Sequence, residues 1–114
     1  AGSVVLEFHF DAGSNTSSGT SAIIGVDADR LDRSFAKELV DKTAGVLMIK
    51  NRGVILETTS HRGRLGLMRE EGTVSLLEIC FITNPDDIKK YQENKLMLAK
   101  EIAKIIFKYE NLAQ

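Results

Sequence analysis

Residues 74–82, Val-Ser-Leu-Leu-Glu-Ile-Cys-Phe-Ile, form a nearly unbroken apolar run interrupted by one carboxylate, and they lead through Thr83 into Asn84-Pro85-Asp86-Asp87. A run this short and this apolar is the signature of a strand covered on both faces. An ionised carboxylate in such a strand costs several kcal/mol unless something pairs with it. Glu78 is therefore the first candidate for a functional residue. The residues that follow predict a helix start. Asn84 suits the N-cap, Pro85 the first helical position, and Asp86 and Asp87 the positive end of the helix dipole.

The rest of the chain supplies partners for that strand. Val4–Phe10 is rich in β-branched and aromatic residues and reads as a buried strand. Alternation puts Val5, Glu7 and His9 on one face and Val4, Leu6, Phe8 and Phe10 on the other. Asp11–Thr20 is almost entirely Gly, Ser, Thr, Asn and Asp, the composition of an exposed loop. Ser21–Val26 reads as a second strand. A helix follows from about Asp29 to Ala44, where Leu31, Phe35, Leu39 and Val40 recur at helical spacing. Glu57–Arg64 is a polar loop holding His61, and Leu65–Met68 is expected to be a short strand. Beyond Pro85 no proline or glycine occurs, and Leu96, Ala99, Ile102, Ala103, Ile106 and Tyr109 make an apolar stripe. That pattern accommodates one long helix or two broken near residues 92–94.

Strands alternating with helices predict a single α/β domain over residues 1–114, with a mixed, largely parallel sheet flanked by helices. Ligands in such folds collect beyond the carboxyl ends of strands, and a parallel pairing of Val4–Phe10 with the Glu78 strand would bring His9 and Glu78 to one rim. Composition narrows the partners. Of 114 residues, 15 are basic and 16 acidic, and they are scattered, so no footprint for nucleic acid stands out. No run reaches the roughly 20 apolar residues that span a bilayer, so membrane insertion is not expected. A single cysteine, Cys80, rules out an internal disulfide framework.

The ordered set Glu7-Phe8-His9-Phe10-Asp11-Ala12-Gly13, a Gly/Ser/Thr-rich turn, Asn51-Arg52-Gly53-Val54 and Leu76-Leu77-Glu78-Ile79-Cys80-Phe81-Ile82-Thr83-Asn84-Pro85 resembles the zinc-dependent N-acetylmuramoyl-L-alanine amidases of the amidase-3 type, found among cell-wall autolysins and phage endolysins. The resemblance runs from Val4 to about Tyr109. In its His-x-Asn-Ala motif, His9 matches a zinc-binding histidine, with Asp11 in place of asparagine. In its Glu-x-Gly-Phe-x-x-Asn motif, Glu78 matches the catalytic glutamate, with Cys80 in place of glycine. The family's other zinc histidine and its zinc glutamate have no counterpart in these residues. The resemblance thus implies the C-terminal portion of an amidase domain, lacking the N-terminal strand and helix.

What it implies functionally is hydrolysis, with Zn²⁺, of the amide between N-acetylmuramic acid and L-alanine in peptidoglycan. Glu78 would be the catalytic residue and His9 a metal ligand, in an enzyme acting at the bacterial cell wall after secretion or holin-mediated release. With one recognisable ligand, this chain alone is expected to be inactive. The alternative is an inert wall-binding or partner-binding module. A missing first strand would also leave a sheet edge open to self-association. The residues alone admit plainer readings as well. His9 can be a hydrogen-bonded histidine at a sheet end, Glu78 a carboxylate paired with an arginine, Glu7 an ion-pair partner, His61 a solvated loop residue and Cys80 a small buried side chain.

Overall fold

The computed structural model describes residues 3–112. Its centre is the strand predicted from the opening motif, here β4 (Thr73–Phe81), all nine residues of which are buried. Around it lie β1 (Val4–Asp11), β2 (Thr20–Ile24) and β3 (Asn51–Leu56) in the order β1-β4-β2-β3. The β1–β4 and β2–β3 pairings are parallel and β2–β4 is antiparallel. The sheet is therefore mixed and mostly parallel, as expected.

Two helices complete the domain. The first, α1 (Arg30–Leu47), starts at a capping box. The Asp29 side chain accepts from Asp32 N–H at 2.8 Å, and the Asp32 side chain accepts from Asp29 N–H at 3.0 Å. The second, α2 (Pro85–Leu112), is one unbroken 28-residue helix. Asn84 caps it, its Oδ1 accepting from the N–H groups of Asp86 and Asp87 at 2.9 and 3.0 Å. Both helices join one core with Ala22 and Ile24 of β2 and Leu77 and Ile79 of β4, to which α1 brings Phe35, Leu39 and Val40 and α2 brings Leu98, Ile102 and Tyr109. No described helix is long and apolar enough to cross a membrane.

Four local expectations need correction. β1 is an edge strand rather than a buried one, and Phe8 is 49% exposed, because nothing among the described residues pairs with its outer side. Leu65–Met68 is not a strand; a single 3₁₀ turn runs over Gly66–Arg69. Asn51–Leu56, left unassigned by pattern, is the strand β3. It lies at the opposite edge, where no residue is fully buried and Gly53 takes a positive φ of 83°, so the apolar alternation that marks a strand is blurred. Finally, the buried stripe of α2 is Leu98, Ile102, Ile105 and Tyr109, so Ile102 and Tyr109 of the expected set are buried whereas Leu96 is 82% exposed. Ala99, Ala103 and Ile106 instead rim a groove of about 460 Å³ against Phe8 and Phe10. Two apolar stripes run side by side on α2, and sequence spacing does not say which one the sheet covers.

Candidate functional site

The register places His9 of β1 directly beside Glu78 of β4, and Ser21 of β2 directly opposite Glu78 on the other side. Paired residues in adjacent strands share a face, so all three point away from the helices. That face is covered by the segment between β3 and β4. Glu57, at its start, is fully buried. It accepts hydrogen bonds from Val26 N–H at 2.8 Å and Leu65 N–H at 2.9 Å, and it pairs with Arg69. Burial alone would raise its pKa, but the Leu65 and Val26 amides and the Arg69 guanidinium outweigh that and hold it below the usual range. Gly25 makes room beneath, since a Cβ there would lie 2.9 Å from Met68 Cβ and 3.1 Å from Glu57 Oε2. So anchored, the segment carries His61 and Arg62 over the sheet end.

Two bulges aim the remaining groups. Between His9 and Asp11 the β1–β4 register slips, so that Asp11 faces Phe81, and Asp11 is 3% exposed. Between Thr20 and Ala22 the β2–β3 register slips in the same way, fitting Arg52 and Gly53 opposite Ser21. Such bulges bend a strand and redirect its side chains. Here the Arg52 guanidinium donates to Asp11 Oδ2 at 2.9 Å and lies over the Phe81 ring at 4.8 Å.

The outcome is a compact polar cluster. Glu78 is 2% exposed, and Arg62 Nη2 lies 3.4 Å both from Glu78 Oε2 and from the Phe10 carbonyl. His61 Nε2 lies 3.4 Å from Asp11 Oδ1. One ligand atom each from Asp11, His61 and Glu78 falls within 4.8 Å of the others. Desolvation raises the Glu78 pKa and the neighbouring Asp11 carboxylate adds to it, while Arg62 and His61 pull it partly back. Among the described residues, two buried side-chain polar atoms lack a hydrogen-bond partner, Ser21 Oγ and Arg62 Nε, and both belong to neighbours of Glu78. Buried polar groups are almost always paired in native proteins, by protein groups or by ordered water.

Of the residues singled out by sequence, Glu78 sits in this cluster and His9 beside it in register. The His9 ring nitrogen Nε2 hydrogen-bonds to the Glu7 carboxylate, on the more open side of the strand. His61, expected to be a solvated loop residue, is 58% exposed yet comes close to Asp11, and Arg62 from the same loop meets Glu78. Their place depends on the buried anchor at Glu57, for which the polar loop composition offers no signal.

The zinc that the resemblance implies can be tested against these donors. His9 is the right donor type, and its side chain is 34% exposed. The Glu7 carboxylate hydrogen-bonds its ring, but no group of three close donors found among the described residues includes His9, whereas catalytic zinc normally takes three protein ligands. The other donor set, Asp11, His61 and Glu78, has both carboxylates already engaged by Arg52 and Arg62. His9 thus fits as one member of a centre that these residues do not fill.

Cys80 has no part in the cluster's chemistry. It is fully buried, and burial, with a contribution from the Asp87 charge, pushes its thiol up to about 12. A thiol so protonated is a poor nucleophile. Native protein at pH 8 is expected to leave Cys80 unlabelled by a thiol-reactive disulfide over a period in which urea-unfolded protein reacts fully. Equal labelling rates would show the strand to be open.

The model of the family described as N-acetylmuramoyl-L-alanine amidase matches residues 2–108. Solved structures share the fold at low identity. The catalytic domain of the CD27L endolysin targeting Clostridia difficile is 22% identical with a TM-score of 0.72, over 92% of this chain and 54% of that one. An N-acetylmuramoyl-L-alanine amidase from Clostridium difficile 630 is 19% identical with a TM-score of 0.77, over 95% of this chain and 57% of that one. The catalytic domain of CwlV, an amidase from Bacillus (Paenibacillus) polymyxa var. colistinus, is 21% identical with a TM-score of 0.73, over 97% and 59%. The chain therefore spans little more than half the length of these structures. No curated protein is significantly similar in sequence. A β4 motif carrying a buried glutamate, a histidine in register beside it and a family match over nearly the whole sequence lead to one conclusion: the chain belongs to the N-acetylmuramoyl-L-alanine amidase family.

Proposed function

We propose that this chain is the C-terminal portion of an amidase catalytic domain that hydrolyses the bond between N-acetylmuramic acid and L-alanine in peptidoglycan, at the bacterial cell wall. The observation that carries the proposal is Glu78, a buried carboxyl with a raised pKa, in register with His9. A carboxyl held nearer neutrality can both take and return a proton. Glu78 accepts a proton from the attacking water as the water oxygen bonds to the amide carbonyl carbon. When the carbon–nitrogen bond breaks, Glu78 delivers that proton to the departing L-alanine nitrogen. Arg62 restrains the Glu78 carboxylate, and Glu7 orients the His9 ring. His9 would be one holder of zinc, whose contribution when bound is to acidify water and polarise the amide carbonyl.

Because His9 and Glu7 fall short of three ligands, the 114 residues by themselves should not turn over substrate. In a longer protein that supplies the remaining donors, cell-wall digests should gain new N-terminal L-alanine, lose that activity on chelation and recover it with zinc. Release of L-alanine termini by the isolated chain would show the ligands to be misplaced. Absence of release from the longer, zinc-loaded protein would favour the alternative, an inert wall-binding or partner-binding module that keeps the fold.

We also infer self-association. The outer side of β1 is unpaired among the described residues, and the groove lined by Phe8, Phe10 and Tyr91 opens beside it. An edge strand next to apolar surface is a template for a second copy. Sedimentation velocity should show a dimer that Phe8→Glu returns to the 12.6 kDa monomer. A wild-type chain that stays monomeric at all accessible concentrations would refute this.

A further inference from the structure

A pocket of about 320 Å³ opens where the loop after β1 meets the start of β3, lined by Thr16, Ser17, Ser18, Lys50, Arg52 and Phe81. Its lining holds two cations, three hydroxyls and no carboxylate, in a chain whose net charge is −1. The nearest acidic groups are already engaged: Asp11 by Arg52, and Asp87 by Ser18 and Gly19.

The pocket is built into the fold. Gly19 has a positive φ of 117°, and a Cβ there would lie 2.7 Å from the Lys50 carbonyl, so only glycine lets the loop approach β3 this closely. The Thr20 N–H then donates to that carbonyl at 2.9 Å. From the other side, Asn84 Nδ2 donates to the Ser17 carbonyl at 3.1 Å and Asp87 accepts from Ser18 Oγ at 2.5 Å, which ties the hydroxyl wall to the start of α2. Arg52 is directed by its bulge and braced on Phe81. With Nη1 committed to Asp11, its fork keeps further donors.

We propose that this pocket binds a free carboxylate on the peptide side of the substrate, with Lys50 and Arg52 as its cationic contacts. The inference rests on the amidase reading and extends it. Arg52 links the pocket to Asp11, which lies against Glu78, so the pocket is one ion pair away from the reacting carboxyl. A peptide leaving from Glu78 through its L-alanine nitrogen ends in a free carboxylate, and a cationic, hydroxyl-lined recess suits such a group.

The test is binding rather than turnover, so it does not depend on the hydrolysis assay. The ¹⁵N-labelled 114-residue chain is titrated with L-alanyl-D-glutamate and with its fully amidated counterpart. The acid should shift the amides of residues 17–19, 50 and 52, and the amidated peptide should bind about two- to fivefold more weakly, the size of one partly exposed ion pair. Lys50 is exposed and its ammonium has no partner among the described residues, so Lys50→Gln should fold normally and weaken the acid by a similar factor. Equal binding of acid and amide, no effect of Lys50→Gln, or displacement by inorganic phosphate as effective as by the acid would each overturn the proposal. Failure of the amidase reading would look different: carboxylate-selective binding intact, with no Glu78-dependent hydrolysis in the longer protein.

Discussion

On the proposed amidase reading, Glu78→Gln in the longer, zinc-loaded protein is expected to lower turnover by about 10²- to 10⁴-fold, the range that one general acid–base group supplies. Gln preserves the shape of the side chain and an oxygen to face Arg62, but it can neither accept the proton of the attacking water nor deliver one to the leaving amine. Substrate affinity should change little, because the missing step is made in the transition state. Stability should move the other way. A carboxyl whose pKa rises on folding destabilises the native state above that pKa, and the deficit disappears as pH falls and the group protonates. The neutral amide lacks this deficit, so the variant should resist urea at pH 7 at least as well as wild type. Activity lost without stability lost is the mark of a group kept for chemistry. Unchanged turnover would sink the assignment of Glu78.

The second large effect is expected at the start of α2. Asp86 and Asp87 are adjacent and identical in type, and the helix dipole accounts for both at the level of sequence. In the fold they differ. Asp86 is exposed, whereas Asp87 is 1% exposed and accepts from Ser18 Oγ at 2.5 Å, Gly19 N–H at 3.0 Å and Phe81 N–H at 3.0 Å. It clamps the loop after β1 to the end of β4. Asp87→Ala leaves two buried backbone donors without an acceptor, at about 1–3 kcal/mol each. A loss of roughly 3–5 kcal/mol is therefore expected in urea unfolding, enough to lower the melting temperature by more than about 12 °C in a domain of this size. Asp86→Ala should cost no more than about 1 kcal/mol. Comparable losses for the two variants would show that the clamp is not what the geometry makes it.

Much of the architecture was legible because it is written in local chemistry. The apolar run around Glu78, the Asn84-Pro85 helix start and the helical spacing of Phe35, Leu39 and Val40 each follow from residues within a few positions of one another, and each appears where the pattern put it. The motif around Glu78 also led to the right family. Misreadings fell where burial is decided by distant segments. Phe8 and Leu96 have the apolarity of core residues, but the sheet edge and the second stripe of α2 stand open. β3 escaped notice because an edge strand with a glycine bulge carries little apolar alternation.

The site divides along the same line. Sequence singled out Glu78 and His9 as the candidate residues, since a charged group in an apolar strand and an imidazole at a strand end are conspicuous by type alone. Only the tertiary structure decided what surrounds them. Asp11 is turned by a bulge, Arg52 crosses from the far edge of the sheet to meet it, and His61 and Arg62 arrive on a loop held by the buried Glu57. These contacts join residues 8 to 50 positions apart, and no periodicity encodes them. They exist because carboxylates withdrawn from water must find donors, and the fold brings Arg52, His61 and Arg62 to Asp11 and Glu78. The carboxyl that first stood out as an expense in an apolar strand is surrounded by groups that sequence spacing alone could not have assembled.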